Sequence, residues 1–100
     1  MAHPDSDCGL DRALRVINGK WKPTIIWVLH VNPLHFGELH RLIPGISEKV
    51  LTEQLRELEK NRVVVRTVHG DRVKRVLYEL SNSGKLLNDA VHALSEWGRA

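Results

Sequence analysis

The sequence predicts a mainly α fold carrying one small β-hairpin, and three observations predict it. Ser47-Glu48-Lys49-Val50-Leu51-Thr52-Glu53-Gln54-Leu55-Arg56-Glu57-Leu58-Glu59-Lys60 reads as a helix with a start signal and one narrow leucine stripe. A β-branched run, Val63-Val64-Val65-Arg66-Thr67-Val68, follows at once. The turn chemistry of His69-Gly70-Asp71-Arg72 then separates it from a second strand pattern, Lys74-Arg75-Val76-Leu77-Tyr78-Glu79-Leu80.

Composition bounds what such a fold does. At 100 residues the chain is one domain, with room for a modest core and not for a deep enclosed active site. The division expected is a polar arm over residues 1–7 and a single domain over 8–100. Hydrophobic residues at 42% and charged residues at 27% balance as in globular chains, not disordered ones. No apolar run approaches the roughly 20 residues that span a bilayer. Met1-Ala2-His3-Pro4-Asp5-Ser6-Asp7 has neither the basic start nor the apolar centre of a secretory signal. A single cysteine forms no internal disulfide, which fits a reducing cytoplasm. The net charge of +3 is mild and favours an anionic partner only if the cations cluster.

Along the chain, Leu10, Leu14 and Ile17, with Ala13, suit a short amphipathic helix from Cys8, ended by Asn18-Gly19. Lys20-Trp21-Lys22-Pro23 opens a second helix, with proline where its missing N–H costs nothing. Thr24 to Val31 is apolar nearly all round and is expected to be the buried helix; Asn32-Pro33 stops it. Leu34-His35-Phe36 is expected to be a short extended link. Gly37 to Ile43 supplies a third helix, with Leu39, Leu42 and Ile43 turned inward, and Pro44-Gly45 makes a tight turn. Ser47 is a good N-cap for the fourth helix. Leu51, Leu55 and Leu58 form its inner stripe, while Lys49, Thr52, Glu53, Arg56 and Lys60 form the opposite face. Asn61 is expected to take the left-handed conformation that ends it. In the second strand Val76, Tyr78 and Leu80 alternate onto one face. Arg72, Lys74 and Arg75 crowd the hairpin tip and shoulders against one acid, Asp71. Ser81-Asn82-Ser83-Gly84 offers another N-cap. The last helix is expected to run to about Trp97, with Leu87, Ala90 or Val91, Leu94 and Trp97 on a seam near heptad spacing.

Two helices joined by a tight turn, the second with a polar face, outline a helix-turn-helix; a hairpin directly after them completes a winged helix. The DNA major groove admits a helix and displays distinguishable donor and acceptor patterns. Lys49, Thr52 and Arg56 suit bases and phosphates, and Ser47 with the free N–H groups beside it suits a phosphate at the helix start. Arg72, Lys74 and Arg75 would neutralise flanking phosphates and make affinity fall with salt. Glu53 and Glu57 count against phosphate contact at their own positions. The partner expected is double-stranded DNA. The alternative is a winged helix used as a protein-interaction module. An acidic or apolar stripe would favour that alternative, and the stripe here carries Lys49, Thr52 and Arg56. An enzyme would need a nucleophile with a base and a pocket, and no histidine is placed by sequence to serve Cys8, so neither an enzyme nor a cofactor is expected.

Cys8 opens the first helix, where backbone N–H groups and the helix dipole favour a thiolate, whereas Asp5, Asp7 and Asp11 nearby would raise its pKa. Two readings stand: a thiol open to oxidants or small electrophiles, and an unreactive thiol near a subunit contact. The six histidines (His3, His30, His35, His40, His69, His92) show neither Cys-x-x-Cys company nor the paired helical spacing of zinc motifs, so no metal site is expected. Trp21, Trp27 and Trp97 read as large core or interface residues.

Cys8-Gly9-Leu10, Gly19-Lys20-Trp21-Lys22, Leu34-His35-Phe36-Gly37-Glu38-Leu39, Pro44-Gly45-Ile46-Ser47-Glu48-Lys49-Val50-Leu51-Thr52 and Leu55-Arg56-Glu57-Leu58-Glu59 together resemble the HxlR-type, MarR-like winged helix-turn-helix regulators of bacterial transcription. The resemblance continues through Val76-Leu77-Tyr78-Glu79-Leu80 and covers nearly everything from Cys8 to Gly98. It implies a homodimer that pairs through its first and last helices and acts on a palindromic operator. It also places recognition on the helix from Ser47 and wing contact on Arg72 to Arg75. Some regulators of this type use a cysteine at the position of Cys8 to sense oxidants, quinones or aldehydes, through an intersubunit disulfide or an adduct. The chain departs from the pattern at Gly9, where proline is usual, at Asn61-Arg62 in place of an acid-glycine turn, and at Lys74-Arg75 in place of wing prolines.

Overall fold

A computed structural model describes residues 9–100 of the chain. The arm over 1–7, and Cys8 with it, lies outside the described residues. Five helices and three short strands follow in the order α1 (Gly9–Ile17), α2 (Lys22–Val31), β1 (Leu34–His35), α3 (Phe36–Leu42), α4 (Glu48–Lys60), β2 (Val64–His69), β3 (Arg75–Leu80) and α5 (Asn82–Arg99).

The sheet is antiparallel with β3 in the middle, β2 on one side and β1 on the other. The hairpin register runs from Val64 opposite Leu80 to His69 opposite Arg75, and β1 adds Leu34 opposite Tyr78 and His35 opposite Leu77. The expected link over Leu34-His35-Phe36 is therefore a third strand, and α3 begins one residue earlier than its pattern suggested. The reason is local. The His35 backbone N–H donates to Glu38 Oε1 at 2.8 Å in a capping box, so the helix starts at Phe36. That bond, and then the His35 imidazole, hold the Glu38 carboxyl below the ordinary carboxylate pKa.

Ile25 and Ile26 of α2, Leu39 and Ile43 around α3, and Leu51, Leu55 and Leu58 of α4 are fully buried and form the centre of the core. Val63, Val64 and Leu80 close it from the sheet side. The inner stripe of α4 is thus where its i, i+4, i+7 spacing put it. Two inward assignments are corrected. Leu42 is exposed, because α3 is so short that Ile43, one turn after Leu39, takes the core position. Leu42 instead joins Trp27, Val28, Val31 and Leu34 around a shallow apolar recess. Likewise α2 is buried on one side only, with Trp27 and Val31 exposed.

The end of α4 also differs from expectation. Asn61 keeps φ −84°, and the left-handed residue is Arg62 at φ 62°. The Val63 N–H reaches back to the Leu58 carbonyl at 2.9 Å. This is a Schellman end, in which the left-handed place falls one residue later and the flanking Val63 and Leu58 pack together in the core. Ser81 caps α5 by accepting from the Gly84 N–H at 3.0 Å and donates to the Arg62 carbonyl at 2.6 Å. A Cβ at Gly84 would lie 2.1 Å from the Val63 carbonyl oxygen, so glycine is what lets α5 start against the strand. Beyond Leu87 and Val91 the expected seam of α5 turns outward, for Leu94 and Trp97 are exposed, as are Leu10 and Leu14 of α1.

Candidate nucleic-acid interface

Helix α4 is held at its start, at its middle and at the turn before it. The Ser47 hydroxyl accepts from the Val50 N–H at 3.1 Å, as its N-cap role required. The His40 Nε2 lies 2.9 Å from the Ile46 carbonyl, bracing the α3–α4 turn. The Lys22 Nζ meets Glu57 Oε1 at 2.6 Å, tying the first turn of α2 to the third turn of α4. Lys22 is only 5% exposed and its ammonium is paired with a Glu57 carboxylate that itself stays in contact with solvent. Neither residue was singled out by sequence as a structural pair. They stand 35 positions apart, and no spacing rule joins residues on different helices.

With the leucine stripe locked inward, the opposite face is presented outward. Lys49, Glu53, Arg56 and Lys60 are exposed and Thr52 is half-buried. The Thr52 hydroxyl donates to the Glu48 carbonyl at 2.8 Å. Its proton is therefore spent, and what it offers a base edge is an acceptor lone pair and a methyl group. Two acids share the face, Glu48 and Glu53. They line an open groove of about 550 Å³ together with Lys49, Thr52, Arg56, Phe36, Val76 and Tyr78. The groove joins the outward face of α4 to β3, one residue from Arg75.

The β2–β3 hairpin forms the wing. Gly70 has φ 104°, and a Cβ there would lie 2.2 Å from the Val73 carbonyl oxygen, so the tip turns where only glycine fits. The Lys74 Nζ donates to the Gly70 carbonyl at 3.0 Å and braces that tip. Arg72 and Arg75 are exposed on either side of it. Among the described residues no salt bridge engages Lys49, Arg56, Arg72, Lys74 or Arg75. The sequence-derived residues thus fall into two sets, Ser47, Lys49, Thr52 and Arg56 on one helix and Arg72, Lys74 and Arg75 on the hairpin, with the groove between.

The family described as HxlR-like helix-turn-helix matches residues 16–100. The chain belongs to this family. The HTH-type transcriptional regulator YtcD of Bacillus subtilis is 42% identical over 89 residues, covering 89% of this chain and 71% of its own length. A MarR-family transcriptional regulator of Enterococcus faecalis has a structure with TM-score 0.86 and 37% identity, covering 99% of this chain and 90% of its own. The redox regulator HypR, in its reduced form, gives TM-score 0.84 and 36% identity over 90% of this chain and 89% of its own. As an HxlR-like helix-turn-helix protein the chain is a transcriptional regulator, not an enzyme. Its five helices and three-stranded antiparallel sheet are the winged helix-turn-helix that the element order predicted. Among the described residues no helix is long and apolar enough to cross a membrane.

Proposed function

We propose that this chain is a sequence-specific DNA-binding regulator that works as a homodimer on a palindromic operator in the cytoplasm. The observation that carries the proposal is the outward face of α4, fixed in place by Ser47 and the Lys22–Glu57 pair, beside a wing whose arginines are unpaired among the described residues. In this reading Lys49, Thr52 and Arg56 meet base edges, and Ser47 with the first-turn amides receives a phosphate. Arg72 and Arg75 neutralise flanking phosphates, with Lys74 shaping the tip. The exposed apolar residues of α1 and α5, Leu10, Leu14, Leu94 and Trp97, support pairing between two copies. Footprinting of the protein on genomic DNA tests the whole: discrete protected sites with two-fold symmetry are expected, and uniform protection of all sequences would contradict the reading.

A finer reading concerns Cys8. HypR, which this chain resembles over most of its length, has structures in reduced and oxidised forms and is named a redox regulator. We infer that Cys8, the residue that precedes Gly9 in the sequence, is the one through which an oxidant or small electrophile changes operator affinity. Having one cysteine, each subunit would need the partner's thiol or a small-molecule thiol to form a disulfide. Operator affinity measured with and without a quinone, in wild type and Cys8→Ser, tests this. A response in wild type alone is expected, and an identical response in both would end the hypothesis.

A further inference from the structure

We propose that His35 and His69 form a binding site for a divalent first-row transition metal of the Ni(II) or Cu(II) class at the root of the wing. The two residues are 34 positions apart, and the sheet brings them together. His35 ends β1 and lies opposite Leu77; His69 ends β2 and lies opposite Arg75. Alternation along β3 puts all four side chains on one face, away from the Val64 and Leu80 face that closes the core. The imidazoles meet across β3 with their Nε2 atoms 2.9 Å apart.

The hydrogen-bond chain sets the tautomers. Glu38 Oε1 lies 2.9 Å from His35 Nδ1. An ionised carboxylate only accepts, so the His35 proton sits on Nδ1 and its Nε2 presents a lone pair toward His69. Carboxylate behind imidazole is the arrangement that orients histidine ligands and raises their basicity. Without metal, His69 donates from Nε2. On binding, that proton moves to His69 Nδ1 and both Nε2 lone pairs face the ion, so the net charge of the protein is unchanged.

The separation of 2.9 Å is that of the hydrogen bond the two rings share, and small ring movements bring both Nε2 atoms onto one ion at metal–nitrogen distances of about 2.0–2.1 Å. Neutral imidazole is a ligand suited to first-row ions such as Ni(II) and Cu(II). Among the described residues no group of three or more His, Cys, Asp or Glu side chains could hold a metal ion, so the proposed site has two protein ligands and would take its remaining ligands from water. The exposure of His69 allows this. Arg75, the cross-strand neighbour of His69, is a cation that opposes the ion and keeps the affinity modest. The other histidine grouping does not converge on a point, because His92 lies flat on Trp27 at 5.4 Å between ring centroids.

The test is calorimetric titration of tag-free protein with NiCl₂ in a non-chelating buffer near neutral pH. His3 is replaced by alanine throughout, so that the N-terminal arm contributes no imidazole. One ion per subunit is expected. His69→Gln and His35→Gln should each lower the affinity roughly tenfold or more, Glu38→Gln should lower it by a comparable factor, and His92→Gln should leave it unchanged. Thermal melts confirm that each variant is folded; His69→Gln alters an exposed side chain at a strand end and carries the decisive comparison. Equal affinity in wild type and His69→Gln, or loss of binding in His92→Gln, would overturn the proposal. The readout is metal binding itself, so it stands or falls independently of DNA recognition.

Discussion

The helix-turn-helix centre and the two outer helices carry the same kind of apolar spacing and use it differently. In α4 the stripe of Leu51, Leu55 and Leu58 is at most 1% exposed, covered by α2, α3 and the sheet. In α1 and α5 the corresponding residues stay open, Leu10 at 59%, Leu14 at 50%, Leu94 at 55% and Trp97 at 81%. Periodicity says that a stripe will be covered; it does not say whether the cover comes from the same chain. A third surface, the outward face of α4, is uncovered and polar. The centre holds the fold; in the proposed function the outer helices meet the apolar surface of a second copy, and the α4 face with the wing meets DNA.

The largest effect should separate centre from periphery. Leu55→Ala should cost about 2–5 kcal/mol of stability in urea unfolding, because it opens a cavity among fully buried neighbours. Leu94→Ala with Trp97→Ala should instead shift sedimentation toward monomer and make the unfolding midpoint independent of concentration. If that pair destabilises the chain as much as Leu55→Ala at every concentration, the two regions are not different in kind. Next in size is Glu57→Gln, which strands the buried Lys22 ammonium and should cost about 1–3 kcal/mol in the same assay. Full retention of stability would show that the pair does not anchor α4.

Smaller effects sharpen the polar surface. Arg56→Ala should weaken a specific site by about 1–3 kcal/mol and bulk DNA by less, in fluorescence titrations. Arg75→Ala should weaken both alike and reduce the salt slope by about 1. Equal losses on both DNAs for Arg56→Ala would remove it from base readout. The smallest change concerns the end of the central helix. Arg62→Gly should gain roughly 0.5–1 kcal/mol, since relief of the left-handed strain outweighs the added chain entropy. A loss of stability would mean that the Arg62 side chain contributes more than its backbone costs.

What was legible in the sequence follows the range of the forces involved. The start of α4, its leucine stripe and the hairpin were readable because caps, i to i+4 contacts and turn residues act within a few positions. Strand β1 was not, since two residues carry no alternation and the strand exists only because Tyr78 and Leu77 lie beside it. Lys22 reads in the sequence only as part of a helix start, and its pairing with Glu57 comes from the tertiary contact between α2 and α4. Arg62 took the left-handed place foreseen for Asn61 because the register of the Schellman end, not residue preference, decides where the chain turns. On the outer face of α4 and on the wing, the placement of the residues was legible and their hydrogen bonding was not: Thr52 gives its proton to Glu48, and Lys74 binds the wing's own backbone.

The most direct measurement is selection of bound duplexes from a random pool by the purified protein, followed by the mass of the complex on the winning sequence. The account predicts an inverted repeat whose half-site centres lie about one helical turn apart, roughly 34–36 Å or a multiple, bound by two chains and lost from the pool with Arg56→Ala. A pool with no enriched motif, or a single chain on each duplex, would contradict it.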